Sequence, residues 1–303
     1  MVQKRCKVKQ RLKKRDIIFL LCVLTLPVLQ FLLMYVFVNI KSFAMAFQDT
    51  VDGVHYTWAG LETFKRALKT LFQDVNYQLI MKNTFALYFW TQIFMQAISM
   101  IISYFVWKKV WGWKFFSIVL FLPSIISSVT FIMIIKKLFY GFLPVIFNNP
   151  EIIEVFNAFG TGFEANTVFF CFLGLGANLV LYLGAMSQID NSVLEYGQLD
   201  GMNSFHEFCY IVFPHIWPTI ISMFIIGIAS MLSNQGLLVG FYGFTGQTAE
   251  VQTFGVKMYL MVLGKNYTDY TMLSAMGLFF TVIIVIFSYI ARRAMETLGP
   301  KEE

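Results

Sequence analysis

Four titratable side chains fall close together in Leu194–Pro214 (LEYGQLDGMNSFHEFCYIVFP): Glu195, Asp200, His206 and Glu207, with no Lys or Arg among them. Carboxylates and an imidazole in one stretch could serve acid–base chemistry, a metal or a charged docking surface. No His-x-x-x-His or similar cluster accompanies them, so no metal site is expected. His55 and His215 lie apart from the apolar segments, and no Ser or Asp joins a His within one, which argues against an intramembrane hydrolase. There is no Gly-x-x-x-x-Gly-Lys-Ser/Thr phosphate loop: Gly264-Lys265 lacks the upstream glycine and the following hydroxyl. Cys6, Cys22, Cys171 and Cys209 have no disulfide or metal spacing. No catalytic residue is expected, and the acidic stretch reads best as a surface for a partner.

A second set of polar residues lies inside apolar segments. Gln92, Gln96, Ser99 and Ser103 follow at spacings of 4, 3 and 4, which places them on one helix face. Gly227, Ser230 and Asn234 follow at 3 and 4, with Ser233 and Gln235 beside them. Asn178 and Gln188 share a segment with Gly174, Gly176 and Gly184. Neutral amides and hydroxyls suit an uncharged, many-hydroxyl ligand such as a sugar. The same residue types also join membrane helices to one another. Gln92, Gln96, Ser99, Asn178, Ser230, Asn234 and Gln235 are therefore candidates for a substrate path, and the Gln92–Ser103 stripe fits either a water-lined path or a helix interface.

The elements that must position these residues are membrane helices. Of 303 residues, 58% are hydrophobic and 13% charged, with mean hydropathy +0.67. Soluble domains are typically about 45–50% apolar and about 25% charged. Six runs of roughly 20 apolar residues, enough to cross a hydrocarbon core, fall near 17–40, 84–106, 115–135, 167–187, 218–239 and 272–291. They do not alternate as β-barrel strands do. The fold class is an all-α polytopic membrane protein with one six-span domain over 17–291, a basic tail at 1–16 and a short tail at 292–303. Lys41–Asn83 should hold a short helix at the outer surface.

Charge sets the orientation. The tails and the loops expected inside carry 14 Lys or Arg, against 9 in the longer outer segments. Eight precede residue 16, so most of the net +6 is a topology signal beside span one, not a nucleic-acid signature. Both termini are expected in the cytoplasm. The loop 188–217 then lies inside as well, yet adds no Lys or Arg to that count. The spans hold no interior Asp, Glu, Lys or Arg, whereas ion-coupled transporters usually keep such a group at depth. A phosphate or carboxylate ligand would also favour Arg or Lys in the path.

Within 188–217 the pattern is helix, turn, helix. Asn191 or Ser192 can cap a helix running to Leu199, and Asp200-Gly201 supplies a turn. Asn203 or Ser204 can cap a second helix, with Glu207 at capping-box spacing from Ser204 and Pro214 ending it. Leu194, Leu199, Met202, Phe205 and Phe208 give the unit an apolar side. That side would dock a soluble partner, lie in the membrane interface or pack beneath its own bundle.

Here the residues carry a family resemblance. Glu195-Tyr196-Gly197, then Gly201, then Ile211-Val212-Phe213-Pro214 resembles the EAA loop of bacterial binding-protein-dependent ABC transporter permeases. Tyr196 and Gly197 stand where the family has alanines, and Phe213 where it has leucine. Trp58-x-Gly60-Leu61-x-x-Phe64, Lys82-Asn83-Thr84 and Phe121-Leu122-Pro123 resemble segments of the sugar permeases. The resemblance runs from about Arg15 to Arg293 and is nearest to the maltose-type, oligosaccharide-importing branch.

The resemblance implies a type I ABC importer permease fold in a bacterial cell membrane. It implies a second permease subunit, usually a different chain, two cytoplasmic ATPase subunits that bind ATP and Mg, and an extracellular solute-binding protein that delivers a sugar. This chain would bind no cofactor itself. Glu195, Tyr196, Gly197, Asp200, Gly201, Met202, Phe205 and Pro214 would form the ATPase-coupling loop. The alternatives are an ABC permease for glycerol phosphate or a peptide, a membrane-embedded enzyme, and a structural subunit without a path.

Overall fold

The computed structural model describes residues 14–50, 52, 55–155, 163–243, 249–264 and 267–300. Most of the basic tail, 1–13, and residues 301–303 lie outside the described residues. Among the described residues, six helices are long and apolar enough to cross a membrane: Phe19–Met45, Val75–Trp107, Ser128–Ile146, Asn166–Met186, Ser204–Ser230 and Asp269–Leu298. We refer to Phe19–Met45, Val75–Trp107, Asn166–Met186, Ser204–Ser230 and Asp269–Leu298 as spans one, two, four, five and six. This is a multi-pass membrane protein.

The third hydrophobic segment is broken. Helix Trp113–Ile125 contains Pro123, and Ile126 is extended (φ −76°, ψ 136°) before Ser128–Lys137 starts. The proline has already removed one helical hydrogen bond there. Span five is offset from the apolar run at 218–239. It begins at Ser204, within the central loop, and stops at Ser230. Pro214 therefore does not end the second loop helix, as the sequence pattern suggests. A wide π-type turn, Phe208–Val212, precedes it and leaves Pro214 in the first turn of Phe213–Ser230, where a proline is tolerated. At the far end, Ser233 Oγ donates to the Ser230 carbonyl (3.1 Å) and Asn234 Oδ1 accepts from Gly236 N (2.9 Å). Such side chain to backbone bonds compete with the helix and end it.

Spans two, four and five pack together with Trp113–Ile125 and span six. Small residues set the approach. A Cβ on Gly176 would sit 2.6 Å from the Leu120 carbonyl oxygen and 2.9 Å from Phe121 Cα, so only glycine lets span four meet that backbone.

One end of the bundle is closed by a small cap. Gln48–Asp49 pairs antiparallel with Thr57–Trp58, and the Phe47 carbonyl accepts from Ala59 N and Gly60 N, 3.0 Å each. The Phe47 ring stacks on Trp58. The Trp58–Phe64 motif is thus a turn that leads into the amphipathic helix Glu62–Gln73. That helix buries Thr63, Ala67 and Leu71, at i, i+4 and i+8, and contacts span six. Arg66 forks onto Asp49 beside it and holds that carboxyl below the usual carboxylate range.

Candidate docking element and polar interior

The opposite end carries the acidic stretch. Helix Asn191–Leu199 is capped by Asp190, whose Oδ1 accepts from Ser192 N at 3.1 Å, and not by Asn191 or Ser192, which lie inside its first turn. A carboxylate suits that position because the helix N-terminus is electropositive. Gly201 then turns the chain with φ +75°, a conformation that disfavours a side chain. Asn203 caps the second helix, accepting from His206 N at 2.9 Å. With the cap one residue earlier than Ser204, Glu207 is too far along for a capping box. Its carboxylate turns inward instead.

The outer surface of this element is apolar and acidic. Tyr196 is 70% exposed, Leu199 83% and Phe205 70%, with Glu195 and Asp200 exposed beside them. Tyr210 is also exposed and stacks on His206. Gly197, by contrast, is buried: a Cβ there would meet Ile211 Cδ1 at 3.0 Å and Met202 Sδ at 3.2 Å. The element therefore turns Gly197 and Met202 towards its own bundle and Tyr196, Leu199 and Phe205 away from it.

Three side chains fasten the element to span two. Tyr104 OH donates to the Ser204 carbonyl at 2.9 Å, and Lys108 Nζ lies 2.6 Å from Glu207 Oε1 and 2.7 Å from Oε2. The sequence pattern gave these no such role. Lys108 belongs to a short basic loop that reads as a topology signal, and Glu207 reads as a cap.

The polar stripe is internal to the subunit. Gln96, Ser99 and Ser103 are buried, and so is Asn178. Gln96 Nε2 donates to Gln92 Oε1, Tyr182 OH donates to Gln96 Oε1 at 3.2 Å, and Ser103 Oγ donates to the Ser99 carbonyl (2.6 Å) and the Leu179 carbonyl (3.3 Å). The Gln92 amide lies against the backbone of Gly227. The structure thus brings Gln92, Gln96 and Ser103 into the seam between spans two, four and five, with Ser99 and Asn178 buried in spans two and four. Ser230, Asn234 and Gln235 lie apart, where span five breaks. There Thr253 Oγ1 donates to the Asn234 carbonyl (3.0 Å) and Asn166 Oδ1 accepts from Leu237 N (2.9 Å).

The same end uses Asn83 and Thr84 as clamps. Asn83 Nδ2 donates to the carbonyls of Glu250 (2.7 Å) and Gln252 (3.1 Å), and Thr84 Oγ1 accepts from Phe254 N (2.8 Å). The Lys82-Asn83-Thr84 motif thereby fixes the segment that leads to helix Phe254–Leu263.

A bundle of long apolar helices, a helix break lined with amides and hydroxyls, and a helical element with an exposed apolar face define a multi-pass α-helical membrane protein. More particularly, the chain belongs to the binding-protein-dependent transport system inner membrane component family, whose model matches residues 115–302. It is 24% identical over 182 residues to the multiple sugar-binding transport system permease protein MsmF of Streptococcus mutans, across 58% of this chain and 62% of that one. It is 23% identical over 202 residues to the arabinooligosaccharides transport system permease protein AraP of Halalkalibacterium halodurans, across 64% of this chain and 62% of that one. The chain thus matches 62% of the length of each of these relatives.

Among solved structures, it superposes on a bacterial ABC transporter involved in import of the acidic polysaccharide alginate with TM-score 0.70 at 21% identity, covering 95% and 98% of the two chains. A second match is the alginate transporter in complex with an alginate pentasaccharide-bound periplasmic protein, with TM-score 0.68 at 20% identity and 92% and 93% coverage. These likenesses establish that the chain has the ABC importer permease fold.

Proposed function

We propose that this chain is the transmembrane permease subunit of an ATP-driven importer for a sugar or oligosaccharide. It forms half of the translocation path, pairs with a second permease subunit and receives substrate from an extracellular solute-binding protein. Two cytoplasmic ATPase subunits hold ATP and Mg, and this chain hydrolyses nothing. Both termini face the cytoplasm of a bacterial cell, and the protein sits in its plasma membrane.

The observation that carries this reading is the docking element. Tyr196, Leu199 and Phe205 point away from the bundle, flanked by Glu195 and Asp200. Large apolar side chains projecting together mark an interaction surface. An apolar knob with an acidic rim fits a cleft on a soluble partner that carries complementary charge. Closure of that partner on ATP would move the helices as rigid bodies and expose the path to each side in turn. The family membership supports the transport role, and the names of the two relatives support a sugar. The uncharged residues at the span-five break, Ser230, Asn234 and Gln235, agree with a ligand rich in hydroxyls.

The test is uptake. Deleting the chain from a host that carries it should abolish ATP-dependent accumulation of at least one labelled oligosaccharide in a panel, and the wild-type chain should restore it. Unchanged uptake of every sugar, with loss of a phosphate ester or peptide instead, would contradict the sugar assignment.

A further inference from the structure

Glu207 has 6% of its side chain exposed and is held by Lys108, itself 27% exposed. Tyr104 OH lies 3.4 Å from Glu207 Oε1 while it donates to the Ser204 carbonyl, and its ring meets Phe208 edge-on with centroids 5.1 Å apart. A buried ion pair of this kind is a poor stabiliser, because desolvating both ions offsets most of their attraction. Apolar side chains would hold the two helices as firmly. What the pair supplies is a fixed register between them.

That register matters because of how the chain is connected. The docking element runs without interruption into span five and joins span four through residues 187–190. Span two has no such connection, for residues 108–203 separate its end from Ser204. Tyr104 and Lys108 are its hydrogen-bonded and ionic links to the element among the described residues. Span two nevertheless carries Gln92 and Gln96, which meet Gly227 of span five and Tyr182 of span four.

We infer that Glu207, Lys108 and Tyr104 form a strut that makes span two follow the docking element when an ATPase partner closes on it. They are positioning residues that touch neither nucleotide nor solute. The inference rests on the importer reading, and one experiment separates the two.

The complex, assembled with its partner permease and ATPase subunits in proteoliposomes and with Cys6, Cys22, Cys171 and Cys209 replaced by Ser, receives one reporter. This is Ala97→Cys on span two or Ala229→Cys on span five, both at exposed positions. Maleimide labelling is timed with and without MgATP plus vanadate. With the strut intact, both rates should change, on the order of tenfold for a coupling of ordinary strength. Glu207→Gln should abolish the response at Ala97→Cys and leave it at Ala229→Cys. Tyr104→Phe should weaken the span-two response, and the exchange Lys108→Glu with Glu207→Lys should restore it. The strut is refuted if Glu207→Gln leaves both responses intact, or if it removes both along with the assembled complex and the exchange restores neither. No response at either position with the strut intact would overturn the importer reading, and the strut with it.

Discussion

The docking element and the Gln92–Ser103 stripe invert the usual placement of polarity. The element keeps Tyr196, Leu199 and Phe205 outside and turns a carboxylate, Glu207, inward. The stripe keeps its amides and hydroxyls inside the bundle. Each is an anomaly for an isolated chain, and the difference lies in who resolves it. Gln96 and Ser103 of the stripe find partners within the subunit, in Tyr182 and the Leu179 carbonyl, and Gln92 packs on Gly227. Among the described residues, the outer face of the element has no such cover. The proposed ATPase partner would cover that surface, whereas the stripe is packed within the subunit.

Substitutions can break that contrast. The largest effect is expected from Leu199→Asp combined with Tyr196→Asp. Central apolar anchors of an interface are typically worth about 2 kcal/mol or more each. ATPase subunits should no longer co-purify, while the melting temperature of the permease alone stays nearly unchanged because both side chains are exposed. A large fall in that melting temperature would mean that the face is covered within the subunit.

Gln96→Leu should do the reverse. It leaves Tyr182 OH and the Gln92 amide without their partner in a buried seam, at a cost of about 1–3 kcal/mol, read as a lower melting temperature in detergent with ATPase association retained. A stripe that mainly lined a wet path would tolerate the change.

Gly197 sharpens the comparison at the element's inner face. Gly197→Ala brings a methyl to 3.0 Å from Ile211 Cδ1, the tip of a flexible side chain, and gains helix propensity of about 1 kcal/mol. Near-neutral stability is expected. Gly176→Ala meets backbone at 2.6 Å and should cost about 1–3 kcal/mol by overpacking. Parallel thermal melts of the two variants check the pair.

The smallest effect lies at the far cap. The Asp49 carboxyl is held low chiefly by its hydrogen bonds from Arg66. A depressed carboxylate contributes stability that is present above its unfolded value and lost as pH falls through the folded one. With Arg66 and Asp49 both partly exposed, melts from neutral to strongly acidic pH should show a loss below about 1 kcal/mol that Arg66→Gln removes.

Much of this was legible in the residues. The apolar runs identify a six-span bundle, the 4-3-4 spacing identifies the shared face of Gln92 to Ser103, and Asp200-Gly201 identifies the turn. What escaped was long-range. Glu207 sits at a local capping spacing, and nothing local shows that Lys108, ninety-nine residues earlier, will meet it. Asn83 likewise gives no sign of the carbonyls it clamps more than 160 residues away. Pro214 misleads because proline usually stops a helix, whereas here a wide turn before it allows the helix to continue. Asp190 does not stand out as a cap in the sequence, because Asn191 and Ser192 are equally good candidates by type.

The most direct test of the docking account is a cross-link at the tip of the element. Leu199→Cys, in a background lacking Cys209, is co-expressed with the ATPase subunits and treated with a thiol cross-linker. The account predicts an adduct with an ATPase subunit whose yield changes when ATP is added. No adduct, with Leu199→Cys reached only from outside the cell or only by lipid-soluble reagents, would contradict both the orientation and the docking role.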